Sequence, residues 1–218
     1  MGYLTHTLHR IGDKESLKND FPWLITPRIG VNDDNLAEKL NKAIDVVEKA
    51  GIKFWGYAAT VNTLHMSPSD IREKLIKQVS RGGAARLRGI GTSSEQLKDL
   101  LKLLKEADLG LSVTISGLRD EIFAICREVG LKPHSVNLSL GIWGMKELLP
   151  PKEVLEITTM CGHSLISPRL VIKLANEIKE GKKKPKEAAI TLAKLCPCGV
   201  FNIERAERLL AKLANITI

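Results

Sequence analysis

The chain has 218 residues, of which 44% are hydrophobic and 27% are charged, and its formal net charge is +8. This balance is typical of a folded soluble protein with one large domain, or with one medium and one small domain. No apolar run approaches the roughly 18 residues of a membrane-spanning helix, so the sequence excludes a membrane span.

The first residues lack the apolar core of a signal peptide, which predicts a cytoplasmic protein whose thiols stay reduced. Four cysteines in that compartment indicate metal or redox chemistry rather than a disulfide framework. The basic net charge suits nucleic acid, anionic lipid or phosphorylated small molecules, and it also serves as a plain solubility device.

Residues 1–34 carry weak signals, with two short strand-like runs at 6–10 and 21–26. After them, apolar spacing alternates between the helical and the extended period. The predicted elements are a helix at 35–49, a strand at 52–58, a helix at 69–81, a strand at 84–90, a helix from 93 or 94 past 104, a strand at 111–116, a helix at 119–129 and a strand at 134–142.

Strand and helix alternate four times, and the connections are too long for hairpins. This order predicts an α/β fold built of right-handed βαβ units around a mainly parallel sheet. An open sheet is the first interpretation. A partial (βα) barrel is the alternative, because a repeat of about 25 residues suits either architecture.

The strands alternate apolar and polar residues instead of being apolar throughout. Leu111, Val113 and Ile115 share one face, while Arg86 and Arg88 share a face of their own strand. A parallel strand covered on both faces is normally a continuous apolar run. The alternation therefore predicts helices on one side of the sheet and a polar surface on the other.

The composition changes after Leu148, where Pro150-Pro151 forms a stiff break. We predict an α/β domain at 1–148 and a small all-helical, metal-binding domain at 149–218. The helices predicted there are 152–158, 167–180, 185–195 and 202–214.

Two short cysteine-containing segments stand out in the C-terminal part. Cys161-Gly162-His163 and Cys196-Pro197-Cys198 supply three thiolates and one imidazole, a usual ligand set for structural zinc. One residue separates the members of each pair, whereas two to four are more common in zinc knuckles. We predict Cys161, His163, Cys196 and Cys198 as one metal site.

Zinc is the preferred metal, and an iron–sulfur cluster is the alternative, with Cys126 or His163 as fourth ligand. Another catalytic metal and an absence of metal also stay open. Cys126 itself shares an apolar helical stripe with Ile122, Ile125 and Val129, so we expect it in the core.

A ligand site is predicted where the carboxyl ends of parallel strands would collect. Gly91-Thr92-Ser93 leads into a helix N-terminus whose backbone N–H groups could receive a phosphate. The ligand-binding candidates are Arg86, Arg88, Thr92, Ser93, Ser116 and Arg119.

Three functional hypotheses follow from these features. The first is a metal-binding enzyme or sensor for a small anionic ligand held between the polar sheet face and the metal-binding part. The second is a protein that binds single-stranded nucleic acid on Lys53, Trp55, Tyr57 and the two arginines, with a structural zinc. The third is a non-catalytic metallo-scaffold. The sequence assigns no catalytic residue, reaction or oligomeric state.

Overall fold

A computed structural model describes residues 10–58, 61–82, 85–139 and 141–216 of the chain. The chain divides into two compact units. The sheet unit comprises Leu17–His134 and Pro197–Val200, and the helical unit comprises Met1–Ser16, Ser135–Cys196 and Phe201–Ile218. Compactness does not show which part folds alone, so the predicted domain boundary at 148/149 stays a prediction.

The sheet unit contains five described strands and four helices, and the helices lie close to their predicted positions. In chain order they are β1 (Phe21–Thr26), α2 (Leu36–Lys49), β2 (Trp55–Ala58), β3 (Val61–Asn62), α3 (Pro68–Ser80), β4 (Leu87–Gly91), α4 (Ser94–Ala107), β5 (Ser112–Ile115) and α5 (Arg119–Glu128), preceded by a short helix α1 (Lys14–Leu17). Ser67 and Ser93 cap α3 and α4, because each side chain accepts a backbone N–H at the start of its helix.

The predicted parallel sheet is wrong, and so are both architectures built on it. The strand order is β3-β2-β4-β1-β5, and every neighbouring pair is antiparallel. The reason lies in β1, which comes from the weakly patterned N-terminal region and lies between β4 and β5. Each helical crossover still joins two strands of the same direction, but an antiparallel strand separates them, as in a split βαβ unit.

The core face of the sheet is the one that carries Trp23, Ile25, Trp55, Tyr57 and Leu87. These side chains are buried against α2, α3 and α4 in one continuous apolar cluster. A neighbouring cluster joins Phe21 to α4 and α5, and it contains Cys126, as predicted. Apolar stripes at helical spacing therefore located the core correctly.

The opposite face of the sheet, which we call the polar face, carries Leu24 and Thr26 of β1, Arg88 of β4 and Thr114 of β5. Leu24 lies directly opposite Arg88 on one side and opposite Thr114 on the other. The predicted division into an apolar and a polar sheet face is present only in part, because Leu24 and Ile90 on this face are buried and the aromatic Trp55 and Tyr57, predicted on the polar side, lie on the core face.

The last predicted strand, at 134–142, is absent from the described residues of that segment. Val136 is 50% exposed and Leu138 is 66% exposed. Alternation fits a strand only when a neighbour completes its hydrogen bonds, and no strand pairing is recorded for the described part of this segment. A single 3-10 turn follows at Lys146–Leu148.

The helical unit contains α6 (Lys152–Thr158), α7 (Pro168–Lys179), α8 (Pro185–Ala193) and α9 (Ile203–Leu213), close to the four predicted helices. They pack on one another through buried aliphatic faces. Asn202 caps α9, because its side-chain oxygen accepts the backbone N–H of Arg205 at 2.9 Å. The two cysteine segments lie in the connections after α6 and after α8.

Candidate metal centre

Cys161 lies in the loop that connects α6 to α7. The loop turns sharply, with the Ser164 N–H bonded to the Cys161 carbonyl at 3.1 Å and Ser164 in the left-handed region at φ 55°. The backbone N–H groups of His163 and Leu165 in this loop lie near enough to the Cys161 sulfur to lower its pKa. Two N–H donors on one sulfur favour the thiolate, which is the form that binds metals.

Cys196 reaches the same place from the end of α8. Its backbone N–H bonds to the Ala193 carbonyl at 2.9 Å and ends the helix, and its thiol forms a hydrogen bond with Cys161. Cys196 is fully buried and Cys161 is 2% exposed. The fold therefore brings together two thiols that are 35 positions apart in the sequence.

The pKa of Cys161 is lowered from its ordinary 9.0 to about 6. The hydrogen bond from Cys196 is the main cause, and burial opposes it. The N–H groups of Leu165 and His163 and the nearby charge of His163 act in the same direction as Cys196. In contrast, burial raises the pKa of Cys126, which makes that thiol an inert core residue.

The other two predicted ligands differ from this pair in their surroundings. His163 is an exposed residue in the Cys161 loop. Cys198 is buried in the sheet unit, where the Asn62 side-chain amide donates to the neighbouring Pro197 carbonyl at 3.4 Å. Among the residues that the structure describes, no group of three or more His, Cys, Asp or Glu side chains is positioned to hold a metal ion. The four-ligand set stays a prediction.

Asn62 is a residue whose role sequence reasoning missed. It is fully buried, and its side-chain oxygen accepts the Leu64 N–H and contacts His65 Nδ1, each at 3.0 Å. Gly199, at φ 69°, passes so close that an added Cβ would lie 3.1 Å from the Asn62 Cβ. Asn62 therefore contacts the Pro197–Val200 segment within the sheet unit, and a single Asn in the sequence gave no signal of this.

Four of the predicted ligand-binding residues lie at one end of the sheet. Thr92 and Ser93 follow β4, while Ser116 and Arg119 follow β5, and these two strands run in the same direction. Because β1 lies between them, the two pairs are about 10 Å apart. Of the four strand ends predicted to meet at one edge, only those of β4 and β5 lie here, and β1 separates them.

The polar groups at that end are largely engaged in local structure. Gln96 accepts from both the N–H and the hydroxyl of Thr92, and the Ser93 hydroxyl accepts the Gln96 N–H. Arg119 is ion-paired with Asp120 at 3.0 Å on the surface. Arg88 lies further back along β4 and Arg86 lies just before that strand, so neither is beside this group. Helix capping accounts for Thr92 and Ser93.

The proposed aromatic platform for nucleic acid conflicts with the burial of its aromatic members. Trp55 is 1% exposed and Tyr57 is 7% exposed, and both belong to the core face. Lys53 shares their alternation in the sequence but lies before β2, so it does not report which way the strand faces. Base stacking needs an accessible ring, and these rings are packed against helices.

We expect one thiol of the metal-free protein to ionise near pH 6, and this thiol is Cys161. Because its pKa is lower in the folded than in the unfolded chain, the thiolate stabilises the fold fully above about pH 9. That contribution falls as the pH drops toward 6 and is absent below it. Ultraviolet thiolate absorbance, followed against pH, measures the transition.

Cys161→Ala should remove this transition, and Cys126→Ala should leave it unchanged. Ionisation of all four thiols near their ordinary pKa would contradict the hydrogen-bonded geometry of the Cys161 sulfur.

Within the described residues, no helix is both long enough and apolar enough to cross a membrane. Comparison with protein-family models, with curated proteins and with solved structures finds no match to this chain.

Proposed function

We propose that the chain binds a thiophilic metal ion, zinc foremost, through the sulfur atoms of Cys161 and Cys196. The proposal rests on one observation, the convergence of two buried thiols on each other with two backbone N–H donors on one of them. His163 and Cys198 are the further ligands that the sequence pattern supplies, and together they complete a Cys₃His set.

The surroundings of the sulfurs favour a structural role for the metal over a catalytic one. Catalytic zinc keeps a coordination position open to solvent and substrate, whereas structural zinc is enclosed by four protein ligands. Cys161 and Cys196 are almost completely buried. A metal there ties the loop after α6 to the end of α8, and its binding free energy adds to the stability of the helical unit.

The backbone N–H donors support this role by acting on the ligating sulfur, and they do not contact the metal. N–H groups that point at a ligating sulfur orient it and offset part of its negative charge. The His163 and Leu165 N–H groups already occupy such positions on Cys161. The loop is therefore arranged for a thiolate before any metal binds.

The test is metal analysis with an absorbance spectrum on protein purified without oxygen. We expect about one zinc per chain and no colour, with the metal lost in Cys161→Ser and Cys196→Ser. The matched control is Cys126→Ala, which removes a buried cysteine of the sheet unit and should keep the metal. Cys198→Ser and His163→Ala test the remaining ligands.

Other outcomes distinguish the alternatives. If the protein is brown and contains iron and sulfide, the bound group is an iron–sulfur cluster and not zinc. Failure of the reduced wild type to retain added zinc, with all four thiols free to react once the chain is unfolded, would overturn metal binding. Two thiols missing from that count would instead indicate a Cys161–Cys196 disulfide.

A further inference from the structure

The polar face of the sheet contains two buried polar atoms that local structure does not explain. Nε of Arg88 and Oγ1 of Thr26 are both buried, and neither has a hydrogen-bond partner among the described residues. A buried donor without a partner costs about 1–3 kcal/mol, and more when it belongs to a charged group. Two such atoms on neighbouring strands therefore lower the stability of the fold twice within one small region.

Two other enclosed arginines, Arg72 and Arg205, donate hydrogen bonds to groups around them. Arg72 bonds to Asn41, Asp45 and Glu48, at distances from 2.7 to 3.3 Å. Arg205 donates to Ser16 and Ile11. In contrast, Arg88 Nε has no such partner in the described part of the chain, and Thr26 Oγ1 on the neighbouring strand shares this condition.

The register places Arg88 and Thr26 within reach of one bound group. Arg88 is directly opposite Leu24, and Thr26 lies two residues further along β1 on the same face. Such diagonal neighbours have Cβ atoms about 7 Å apart, a distance that an arginine side chain spans easily. Ser112 lies opposite Thr26 on the far side, and Thr114 lies beside Leu24.

The charge of the strands indicates the kind of group that would bind. Arg88 is the only charged residue in the five described strands, and none of them contains Asp or Glu. Arg86 lies one residue before β4, so the strand register does not fix its side, and Arg88 is the cation that the register places on the polar face. The patch thus offers guanidinium and hydroxyl donors without a competing carboxylate from any strand.

We propose that Arg88 and Thr26 form the centre of a binding site for the phosphate group of a small molecule. Arginine matches phosphate oxygens in planar, charge-assisted pairs, and hydroxyls on the neighbouring strands can donate to the remaining oxygens. The site explains both orphaned atoms with one ligand. It lies within the sheet unit and does not depend on the proposed metal.

The test compares thermal unfolding in inorganic phosphate with unfolding in chloride at equal ionic strength. We expect phosphate at ten times its Kd to raise the unfolding midpoint of the wild type by roughly 3–5 °C. Arg88→Met should abolish this rise, and calorimetric titration should show phosphate binding weakened at least tenfold. The same measurement in acetate tests a carboxylate anion, and it should raise the unfolding midpoint less than phosphate does.

Arg88→Met has a second expected effect that separates ligand binding from a structural role. Without phosphate, its midpoint should equal or exceed that of the wild type, because the variant no longer buries an unpaired donor. A structural arginine would lower the midpoint instead. Thr26→Val keeps the side-chain shape and should weaken phosphate binding about threefold to tenfold. This second variant tests the site even if Arg88→Met does not fold.

The matched control is Arg81→Met, which removes the same charge from an exposed position at the end of α3. It should keep the full phosphate response. The proposal is overturned if phosphate gives the wild type no shift beyond chloride, if Arg88→Met or Thr26→Val responds as the wild type does, or if Arg81→Met loses the response equally.

Discussion

Gly89→Ala should destabilise the sheet unit by about 3 kcal/mol, at the upper end of the range for overpacked cores. Gly89 pairs with Trp23 on β1 and with Trp55 on β2, so tryptophans flank it on both sides. An added Cβ would lie 2.5 Å from Trp23 Cζ2 and 2.6 Å from the Phe54 carbonyl oxygen. Neither neighbour can move cheaply, because the Trp23 ring is fully buried and the oxygen belongs to the backbone.

Urea unfolding followed by tryptophan fluorescence measures this effect. Trp143 is 80% exposed, so a Trp143→Phe background leaves Trp23 and Trp55 of the sheet core as the reporters. In that background, Gly89→Ala should lower the unfolding midpoint without changing the steepness of the transition. A parallel loss of roughly 10 °C in thermal stability is expected.

Gly91→Ala is the matched control, on the same strand and the same face. A Cβ there would meet Phe21 at 3.6 Å, an ordinary van der Waals contact. We expect a change within about 0.5 kcal/mol. Adding Trp23→Phe to Gly89→Ala should recover part of the loss, because the ring that meets the new methyl group becomes smaller.

Equal stability of the Gly89→Ala and Gly91→Ala variants would contradict the β1–β4–β2 register. The experiment therefore also tests the strand order. In the parallel sheet predicted from the sequence, no strand from the N-terminal region lies beside β4, and Gly89 would have no tryptophan from β1 to meet.

Helices could be predicted from the sequence because the signal for a helix is local. The stripe of Leu97, Leu100 and Leu101 marks the buried face of α4, and Ser93 marks its start. Both depend only on residues within a few turns of one another. The same argument located Cys126 in the core of the sheet unit.

The sheet could not be predicted in the same way, because neighbouring strands are chosen by contacts between distant parts of the chain. The segment Phe21–Thr26 carries a proline and little alternation in its burial, yet it forms a central strand. The segment at 134–142 alternates well, yet its described residues form no strand. Periodicity reports which face of a strand is apolar, and it does not report which strand is adjacent.

Metal binding stays a prediction, but the proximity of two of its proposed ligands is a feature of the structure. Sequence spacing singled out Cys161 and Cys196, and the structure brings their sulfurs together. The sequence gave no indication of the His163 and Leu165 N–H groups, because the position of a backbone donor depends on the loop conformation and not on residue type. Thr26 was missed for a similar reason, since its proximity to Arg88 depends on the antiparallel register.

Arg205→Met should destabilise the helical unit by about 3 kcal/mol, the loss expected for hydrogen bonds from a buried charged group. Arg205 lies on α9 and is fully buried. Its Nε donates to Ser16 Oγ at 2.9 Å, and its Nη2 donates to the Ile11 carbonyl at 2.6 Å. Methionine fills similar space but leaves both oxygens without this donor.

The loss should be largest in the N-terminal segment that the arginine holds. Ile11 is fixed at two points, since its carbonyl accepts from Arg205 and its N–H donates to Thr159 Oγ1 at 3.1 Å. Hydrogen exchange in Arg205→Met should therefore accelerate at residues 11–16 before it accelerates in α9. Thr159 is two residues before Cys161, so the hydrogen bond from Ile11 also fixes the start of the loop that contains Cys161.

Arg208→Met is the matched control, because Arg208 is exposed on the same helix and carries the same charge. It should change stability by less than about 0.5 kcal/mol. Arg205→Lys should restore little, since an ammonium cannot reproduce the planar fork that reaches both oxygens. Ser16→Ala should cost about 1 kcal/mol alone and less in the Arg205→Met background, because both changes remove the same hydrogen bond. Additive losses in that double variant would show that Arg205 stabilises α9 by packing, independently of the N-terminal segment.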